Sequence, residues 1–194
     1  NEPFNFSRIN NMAASQAKGE VLCFLNNDIE ILSPQWLEQL VSIAHEEGVG
    51  AVGATLLYPD RSVQHAGVAL DEDWIGLHIA QHQTFTTLAE QYQLNRLYPM
   101  NAVTAACMVT KASTFQKLGG FNEKDLQVSF NDVDYCLRLQ ELGLPVLLYP
   151  GVQLLHHESA TRKSDDLPEN RPRAMREKEF MRTRWGNILQ EKQY

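Results

Sequence analysis

The fold is decided by the stretch Val21-Leu22-Cys23-Phe24-Leu25-Asn26-Asn27-Asp28. Its five leading apolar residues, some β-branched or aromatic, predict a short strand that is buried on both faces. The polar triplet Asn26-Asn27-Asp28 then lies at the carboxyl end of that strand, where open α/β sheets bind ligands. A carboxylate and two amides there can bind a hard divalent cation and leave positions for phosphate oxygens. The triplet is equally good turn chemistry, because short polar side chains cap their own backbone.

Composition restricts the class of protein. The 194 residues are 43% hydrophobic and 21% charged, which is typical of one α/β domain, with or without an appendage. The net charge of −7 argues against a general nucleic-acid surface, which needs a basic face. Cys23, Cys107 and Cys136 lie in apolar settings without CxxC spacing. We therefore expect buried free thiols and a reducing compartment.

Strand patterns alternate with helix patterns along the chain. Strands are predicted at 21–25, 49–57, 63–70, 102–110, 146–149 and 152–155, and helices at 6–17, 34–47, 112–118, 131–142 and 173–189. This alternation predicts a mainly parallel sheet sandwiched by helices. The stretch 71–99 has poor periodicity and predicts a long irregular loop or lid.

Two aspartates open the predicted helix at 131–142. Asp132 at a helix start stabilises the helix dipole by ~0.3–1 kcal/mol, and Asp134 can pair with Arg138 one turn on, worth ~0.2–0.5 kcal/mol. Alternatively, Asp132 points into a cleft as a general base that accepts a hydroxyl proton. Only geometry decides between these two readings.

Two further pairs of residues each allow two interpretations. His156 and His157 follow an apolar strand, where a neutral imidazole can bind a metal or simply form a hydrogen bond. Gly119 and Gly120 can end a helix, or they can let the backbone approach a ligand closely, because glycine has no Cβ.

Taken in order, these clusters resemble family 2 glycosyltransferases of the GT-A fold, notably bacterial rhamnosyltransferase-like and O-antigen-type enzymes. The resemblance extends over nearly the whole chain, and the order and spacing of its segments make it specific. The segments are Phe4-Asn5-Phe6-Ser7 with Asn10-Asn11, Gly19-Glu20, Leu25-Asn26-Asn27-Asp28, Ser33-Pro34-Gln35-Trp36-Leu37, Thr104-Ala105-Ala106-Cys107-Met108, Leu118-Gly119-Gly120-Phe121-Asn122-Glu123, Asn131-Asp132-Val133-Asp134-Tyr135-Cys136-Leu137-Arg138-Leu139 and His156-His157-Glu158-Ser159.

The resemblance implies a role for each matching residue. Asp28 looks like the last residue of a DXD-type motif that binds Mg²⁺ or Mn²⁺ between the donor phosphates, with Asn26 and Asn27 beside it in the cofactor site. Asn26 replaces the first acid of that motif. Either His156 or His157 matches a histidine near the metal. Asp132 matches the family's catalytic base.

The resemblance also implies the residues that bind the sugar substrates, and Asn131 among them stands where many family members have glutamate. They are Thr104, Ala105, Gly119, Gly120, Phe121, Asn131 and Asp134. The implied mechanism is a single in-line displacement with inversion at the anomeric carbon. It needs a base for the acceptor proton and a cation that offsets charge on the departing nucleotide diphosphate.

The expected protein is thus an inverting, metal-dependent glycosyltransferase of cell-surface polysaccharide synthesis. It takes a sugar from a nucleotide-diphospho-sugar and passes it to a hydroxyl of a saccharide or lipid-linked acceptor. We expect a cytoplasmic location, with peripheral association at the inner face of the membrane as an option, and no nucleic-acid partner. Two alternatives stay open: a non-catalytic carbohydrate-binding or scaffold domain, and a metal-dependent hydrolase that uses Asp28, the histidine pair and Glu158.

The expected domain organisation is a GT-A-like core at 1–160, followed by a mobile loop and C-terminal helical extension at 161–194. Family members open with a strand, a turn and a second strand ending in aspartate, which together hold the nucleoside. This sequence starts after both strands. We therefore expect it to be the C-terminal part of a larger transferase that lacks most of the nucleoside pocket and has little activity alone.

Overall fold

The computed structural model describes residues 3–73, 75–157 and 167–190. Trp74, Glu158, Ser159, Ala160 and the 161–166 part of the expected mobile loop lie outside the described residues. The strands are β1 (Val21–Leu25), β2 (Ile29–Ile31), β3 (Ala51–Leu57), β4 (Val63–His65), β5 (Val68–Asp71), β6 (Ile75–His78), β7 (Tyr98–Met100), β8 (Cys107–Lys111) and β9 (Val146–His156). The helices are α1 (Phe6–Gln16), α2 (Trp36–His45), α3 (Phe85–Gln91), α4 (Ala112–Lys117), α5 (Asn131–Glu141) and α6 (Arg171–Gln190).

Seven of the described strands form one sheet. Its order is β1-β8-β3-β9-β2, with β4 paired to β3 and β7 paired to β9. Only β3 and β9 run parallel among these pairs; the other pairs are antiparallel. The predicted α/β architecture is confirmed, but its mainly parallel character is wrong. An apolar run indicates only that both faces of a strand are buried. A central antiparallel strand covered by helices is buried in the same way as a parallel one, so the pattern does not determine strand direction.

Helices cover both faces of this sheet. Along β8, Met108 packs into an apolar cluster with Tyr135 of α5 and Met181 of α6. The next residue, Val109, packs into a second cluster on the opposite face with Leu40 of α2. Successive side chains of a strand point to opposite faces, so this strand supplies both clusters. Each large apolar side chain buried in this way contributes about 1.5–3 kcal/mol.

The edge position of β1 corrects two expectations. The strand was expected to be buried on both faces, but Phe24 is buried while Cys23 and Leu25 are exposed. Cys107 and Cys136 are buried free thiols as predicted, and burial raises the pKa of both. The prediction for Cys23 is wrong because a run of apolar residues does not reveal whether its strand lies at the centre or the edge of a sheet.

The stretch 71–99 is more regular than its sequence predicts. It contains β6, which forms a hairpin with β5, then α3, and finally the start of β7, which pairs with β9. Leu88 of α3 is completely buried. The prediction of a long irregular loop is wrong because elements of three to seven residues are too short to show periodicity. Tertiary pairing stabilises them.

Helix α6 packs against the core. Met181, Trp185 and Leu189 are buried, and Trp185 Nε1 donates a hydrogen bond to Asp134 Oδ1 at 3.0 Å. The expected boundary at residue 160 stays a prediction. None of the described helices combines the length and the apolar character that crossing a bilayer requires.

Glu177 of α6 ties the helix to the loop before α5. Its side chain is 2% exposed and accepts hydrogen bonds from the backbone N–H groups of Val128 (2.9 Å) and Ser129 (3.1 Å), beside an ion pair with Arg173. We expect Glu177→Gln to lower the free energy of unfolding by about 2 kcal/mol, because a buried charge-assisted network loses its charge. Denaturant unfolding measures this. The exposed Glu179→Gln should change stability by less than about 0.5 kcal/mol, and equal losses in both variants would contradict the prediction.

Candidate active site

A cavity of about 560 Å³ opens beside the carboxyl end of β1. Its polar lining comes from the residues that follow β1, the end of β9, the strands β4 and β6, the turn after β6, the segment before β8 and the start of α5. These residues are Asn26, Asn27, Asp28, Gln64, His65, His78, Gln81, Thr104, Asn131, Asp132 and His156. The two acids that the sequence singles out for metal binding and for base catalysis therefore share one cavity.

Strand pairing brings the polar triplet to the end of β9. In the antiparallel pair β2–β9, Ile29 lies opposite His156. The backbone N–H of His157 donates to the carbonyl oxygen of Asp28 at 3.0 Å. As a result, Asp28 Oδ1 lies 3.2 Å from His156 Nε2.

The tautomer of His156 follows from its other ring nitrogen. Nδ1 lies 2.6 Å from Gln64 Oε1. Because an amide oxygen can only accept, Nδ1 carries the proton, and Nε2 of the neutral ring presents a lone pair. Asn26 Nδ2 lies 3.2 Å from that Nε2 and can donate to it. Asn26, Asp28 and the Nε2 edge of His156 thus lie together in the wall of the cavity.

This arrangement fits a divalent cation. Asp28 Oδ1 is buried and accepts no hydrogen bond from any described residue. A buried carboxylate oxygen without a donor is costly unless a cation or a ligand compensates it. The described residues contain no group of three or more His, Cys, Asp or Glu side chains placed to hold a metal. A cation here would thus take its remaining ligands from amide oxygens such as that of Asn26, from water or from substrate.

The structure separates the two neighbouring histidines. His156 is 8% exposed and lines the cavity. His157 is exposed, lies outside the residues that line the cavity, and approaches Glu30 Oε2 at 3.4 Å. Adjacent residues at the end of a strand point to opposite sides, so only one of the pair can face the cavity.

Asp132 is held by backbone groups at the rim of the cavity. Its Oδ2 accepts from the N–H of Ala105 at 3.0 Å, and its Oδ1 accepts from the N–H of Val133 at 2.9 Å. Phe130, just before α5, has φ 61°, a left-handed conformation that bulky residues adopt only under constraint. The turn places Asp132 at the helix start with its carboxylate facing the cavity. Its role as a base stays a prediction.

Asn131 lines the cavity as well, together with Thr104 and Ala105. Its side chain is 2% exposed, and its amide nitrogen donates to the carbonyl of Val128 at 2.9 Å. The amide therefore closes the turn before α5. Substrate binding by Asn131, Thr104 and Ala105 remains a prediction.

Gly119, Gly120 and Phe121 do not line this cavity; they line a second one of about 240 Å³. Gly120 has φ 73°, and a Cβ there would lie 2.4 Å from Asn11 Oδ1. Asn11 Nδ2 donates a hydrogen bond to the carbonyl oxygen of Phe121, and Asn11 Oδ1 accepts one from the N–H of Phe121, both at 2.9 Å. Close packing against α1 therefore accounts for glycine at position 120.

Asp134 also lies away from the main cavity. It is 1% exposed and pairs with Arg138 Nε at 2.8 Å, which confirms the predicted contact one turn along the helix. Arg138 further donates to the carbonyl oxygens of Leu118 and Gly120, both at 2.8 Å. Asp134, through Arg138, thus helps to fix α5 to the glycine turn formed by Gly119 and Gly120. Its predicted contact with substrate stays a prediction.

Sequence reasoning missed the residues that β4 and β6 contribute. Gln64, His65 and His78 line the cavity, although no motif in the sequence marks these positions. Gln64 contacts a residue 92 positions away, and His65 one 39 positions away. Burial and the neighbouring His78 and His156 hold the pKa of His65 well below its usual value, so this ring stays neutral.

The fold defines a class. The chain has the GT-A fold, as similarity to solved glycosyltransferases shows. GalNAc-T7, solved with UDP, GalNAc and Mn²⁺, matches with a TM-score of 0.63 and 15% identity over 84% of this chain and 32% of that chain. The mannosyltransferase PcManGT from Pyrobaculum calidifontis, in complex with GDP-Man and Mn²⁺, matches with a TM-score of 0.53 and 15% identity over 82% of this chain and 38% of that chain.

Sequence relatives are closer in identity but much longer. An uncharacterised protein, y4gI of Sinorhizobium fredii, is 40% identical over 94% of this chain and 20% of its own length. The O-antigen biosynthesis protein RfbC of Myxococcus xanthus is 43% identical over 86% of this chain and 13% of its own length. The chain thus spans a fifth or less of these two curated relatives. No protein-family model matches it.

Proposed function

We propose that the chain carries the active site of an inverting, divalent-cation-dependent family 2 glycosyltransferase. The observation that carries this proposal is the shared cavity, which is lined by the Asp28–His156 pair and by Asp132. Glycosyl transfer needs charge stabilisation at the leaving group and a base at the acceptor, and these groups supply both.

On the donor side, we assign Asp28 and His156 as the side chains that would hold Mg²⁺ or Mn²⁺ beside the diphosphate of a nucleotide sugar. Asn26 and Asn27 complete the polar surface there. The cation supplies positive charge that offsets the charge on the departing nucleotide diphosphate. The orphaned oxygen of Asp28 and the fixed tautomer of His156 support this assignment. The Mn²⁺ in both similar solved structures is consistent with it.

On the acceptor side, Asp132 takes the proton of the attacking hydroxyl. The acceptor oxygen then forms its bond to the anomeric carbon while the bond from that carbon to the diphosphate oxygen breaks on the opposite face, which inverts the configuration. The N–H of Ala105 fixes one oxygen of the carboxylate, so the lone pairs left on the two oxygens define the direction of proton transfer.

We assign the acceptor to the saccharide or lipid-linked saccharide class of cell-surface polysaccharide synthesis in bacteria. The name of the O-antigen biosynthesis relative supports this context. The cavity also has an apolar rim formed by Phe4, Phe6 and Ile9, of which Phe4 is 58% and Ile9 53% exposed. Such a rim suits an amphiphilic acceptor. A cytoplasmic location with peripheral contact to the membrane fits such an acceptor.

Incubation with a panel of UDP-, dTDP- and GDP-sugars, Mn²⁺ and simple glycosides tests the function. Released nucleoside diphosphate reports turnover, and NMR of the product reports its anomeric configuration. We expect transfer with inversion from one donor class. Retention of configuration would overturn the mechanism, and hydrolysis without transfer would favour the hydrolase alternative. Binding without any turnover would favour a carbohydrate-binding module.

The neighbouring histidines offer a matched pair of variants. We expect His156→Ala to weaken Mn²⁺-dependent binding of the nucleoside diphosphate about 10–100-fold. The substitution removes the imidazole and leaves the Asp28 carboxylate as the remaining proposed side-chain ligand of the pair. His157→Ala should leave binding unchanged, because that ring is exposed and faces Glu30. Isothermal titration calorimetry measures both. A larger effect from His157→Ala would contradict the assignment.

A further inference from the structure

The segment just before β8 links Asp132 to a buried histidine in the wall of the same cavity. Thr104 and Ala105 lie in this non-regular segment, and Ala105 is only 2% exposed. The N–H of Ala105 donates to Asp132 Oδ2 at 3.0 Å, and the N–H of Thr104 points to His65 Nε2 at 3.3 Å. Two consecutive peptide groups therefore connect the ring of His65 to the carboxylate of Asp132.

The hydrogen bonds of His65 define its tautomer. A backbone N–H can only donate, so Nε2 accepts from Thr104 and carries no proton. The proton of the neutral ring is then on Nδ1, which lies 2.8 Å from Nδ1 of His78 and donates to it. The ring is 1% exposed, and its neighbour Gln64 fixes His156 on the donor side of the same cavity. The short strand β4 thus supports both halves of the site.

We propose that His65 is a positioning residue that holds the Thr104–Ala105 backbone and, through it, sets the direction of the Asp132 carboxylate. The catalytic consequence rests on the proposed transferase function, whereas the positioning itself does not. His65 touches no reacting atom in this scheme. It acts by accepting one backbone hydrogen bond that an apolar side chain cannot accept.

The wild-type protein provides the first test. Long-range ¹H–¹⁵N NMR of the imidazole rings distinguishes the two neutral tautomers. We expect His65 to be protonated at Nδ1. Protonation at Nε2 would overturn the proposal, because Nε2 could not then accept from Thr104.

Two substitutions provide the second test. His65→Leu removes the acceptor, and His65→Gln restores one, because Gln Oε1 can occupy the place of His Nε2. We expect His65→Leu to accelerate hydrogen exchange at the Ala105 amide and to lower kcat about 100-fold with the donor KM unchanged, because the base is misdirected. His65→Gln should restore slow exchange and bring kcat to within about tenfold of the wild type. The exposed His45→Leu should change neither quantity.

The readouts separate the two proposals. Absence of transfer by the wild type with every donor would refute the proposed function, while the tautomer and the Ala105 exchange would still decide the positioning role. Unchanged Ala105 exchange in His65→Leu would overturn that role, as would a change confined to KM. If His65→Leu does not fold, His65→Gln and the tautomer decide: fast Ala105 exchange in folded His65→Gln would count against the proposal.

Discussion

Replacing Asp132 with asparagine is expected to lower kcat by about 10²–10⁴-fold while the donor still binds. The amide has nearly the shape of the carboxylate and keeps an oxygen for the N–H of Ala105, but its NH2 group cannot accept from the N–H of Val133, so one backbone hydrogen bond is lost as well. It cannot take the proton of the acceptor hydroxyl, and loss of a general base costs a factor of this size. Steady-state kinetics with calorimetric donor binding measures the split between kcat and affinity. Transfer at the wild-type rate would refute Asp132 as the base.

Asp134 provides the matched control two residues along the same helix. Its carboxylate is 1% exposed and lies against Arg138 at 2.8 Å and Trp185 Nε1 at 3.0 Å. We expect Asp134→Asn to destabilise the fold by about 3 kcal/mol, because it leaves a largely buried guanidinium without its counter-charge. Its kcat should fall far less than that of Asp132→Asn under conditions where it is folded. A larger loss of kcat in Asp134→Asn than in Asp132→Asn would mean that Asp134, and not Asp132, is the base.

Replacing Asp28 with alanine is expected to weaken Mn²⁺-dependent binding of UDP, dTDP or GDP by at least about 100-fold, or 2.7 kcal/mol. Asp28 is the carboxylate that faces His156, and its buried oxygen has no hydrogen-bond donor among the described residues. Its removal takes away the negative charge that compensates a cation between protein and diphosphate. Calorimetric titration of each nucleotide with and without Mn²⁺ measures the effect.

Glu30→Ala serves as the control for Asp28. Glu30 lies two residues further on, is exposed, and contacts His157 outside the cavity. Its loss should leave nucleotide binding unchanged. Binding that survives in Asp28→Ala would show that this carboxylate holds no cation, and an equal fall in Glu30→Ala would show that the acidic surface acts only through its general field. Either result would remove the basis for a specific cation site.

Residues that are neighbours in sequence were the easiest to predict. The strand at 21–25 and the helix starting at Asn131 are both present, and the contact of Asp134 with Arg138 forms as expected. Such features depend on local periodicity and on spacing within one helical turn, which a single sequence contains. The short elements between 71 and 99 were missed because they depend on pairing with distant strands.

The two histidines at the end of β9 illustrate what the sequence leaves open. Their chemistry is identical, and adjacent positions give no reason to prefer one. Pairing of β2 with β9 turns His156 toward Asp28, and the alternation of side chains turns His157 toward Glu30. The glycine turn at 119–120 is a second example, because only packing against Asn11 revealed why a Cβ is excluded at Gly120.

By itself the sequence determined the α/β class, the polar ends of the apolar strands and the acids worth testing, because these depend on hydrophobic pattern and residue type. Only the tertiary structure decided that Asp28, His156 and Asp132 share one cavity, while Asp134, Gly119 and Gly120 lie elsewhere. It also placed Gln64 and His65 at the site, although no sequence pattern singled out either residue. The physical reason is that strand order and direction arise from long-range pairing, which no local pattern encodes.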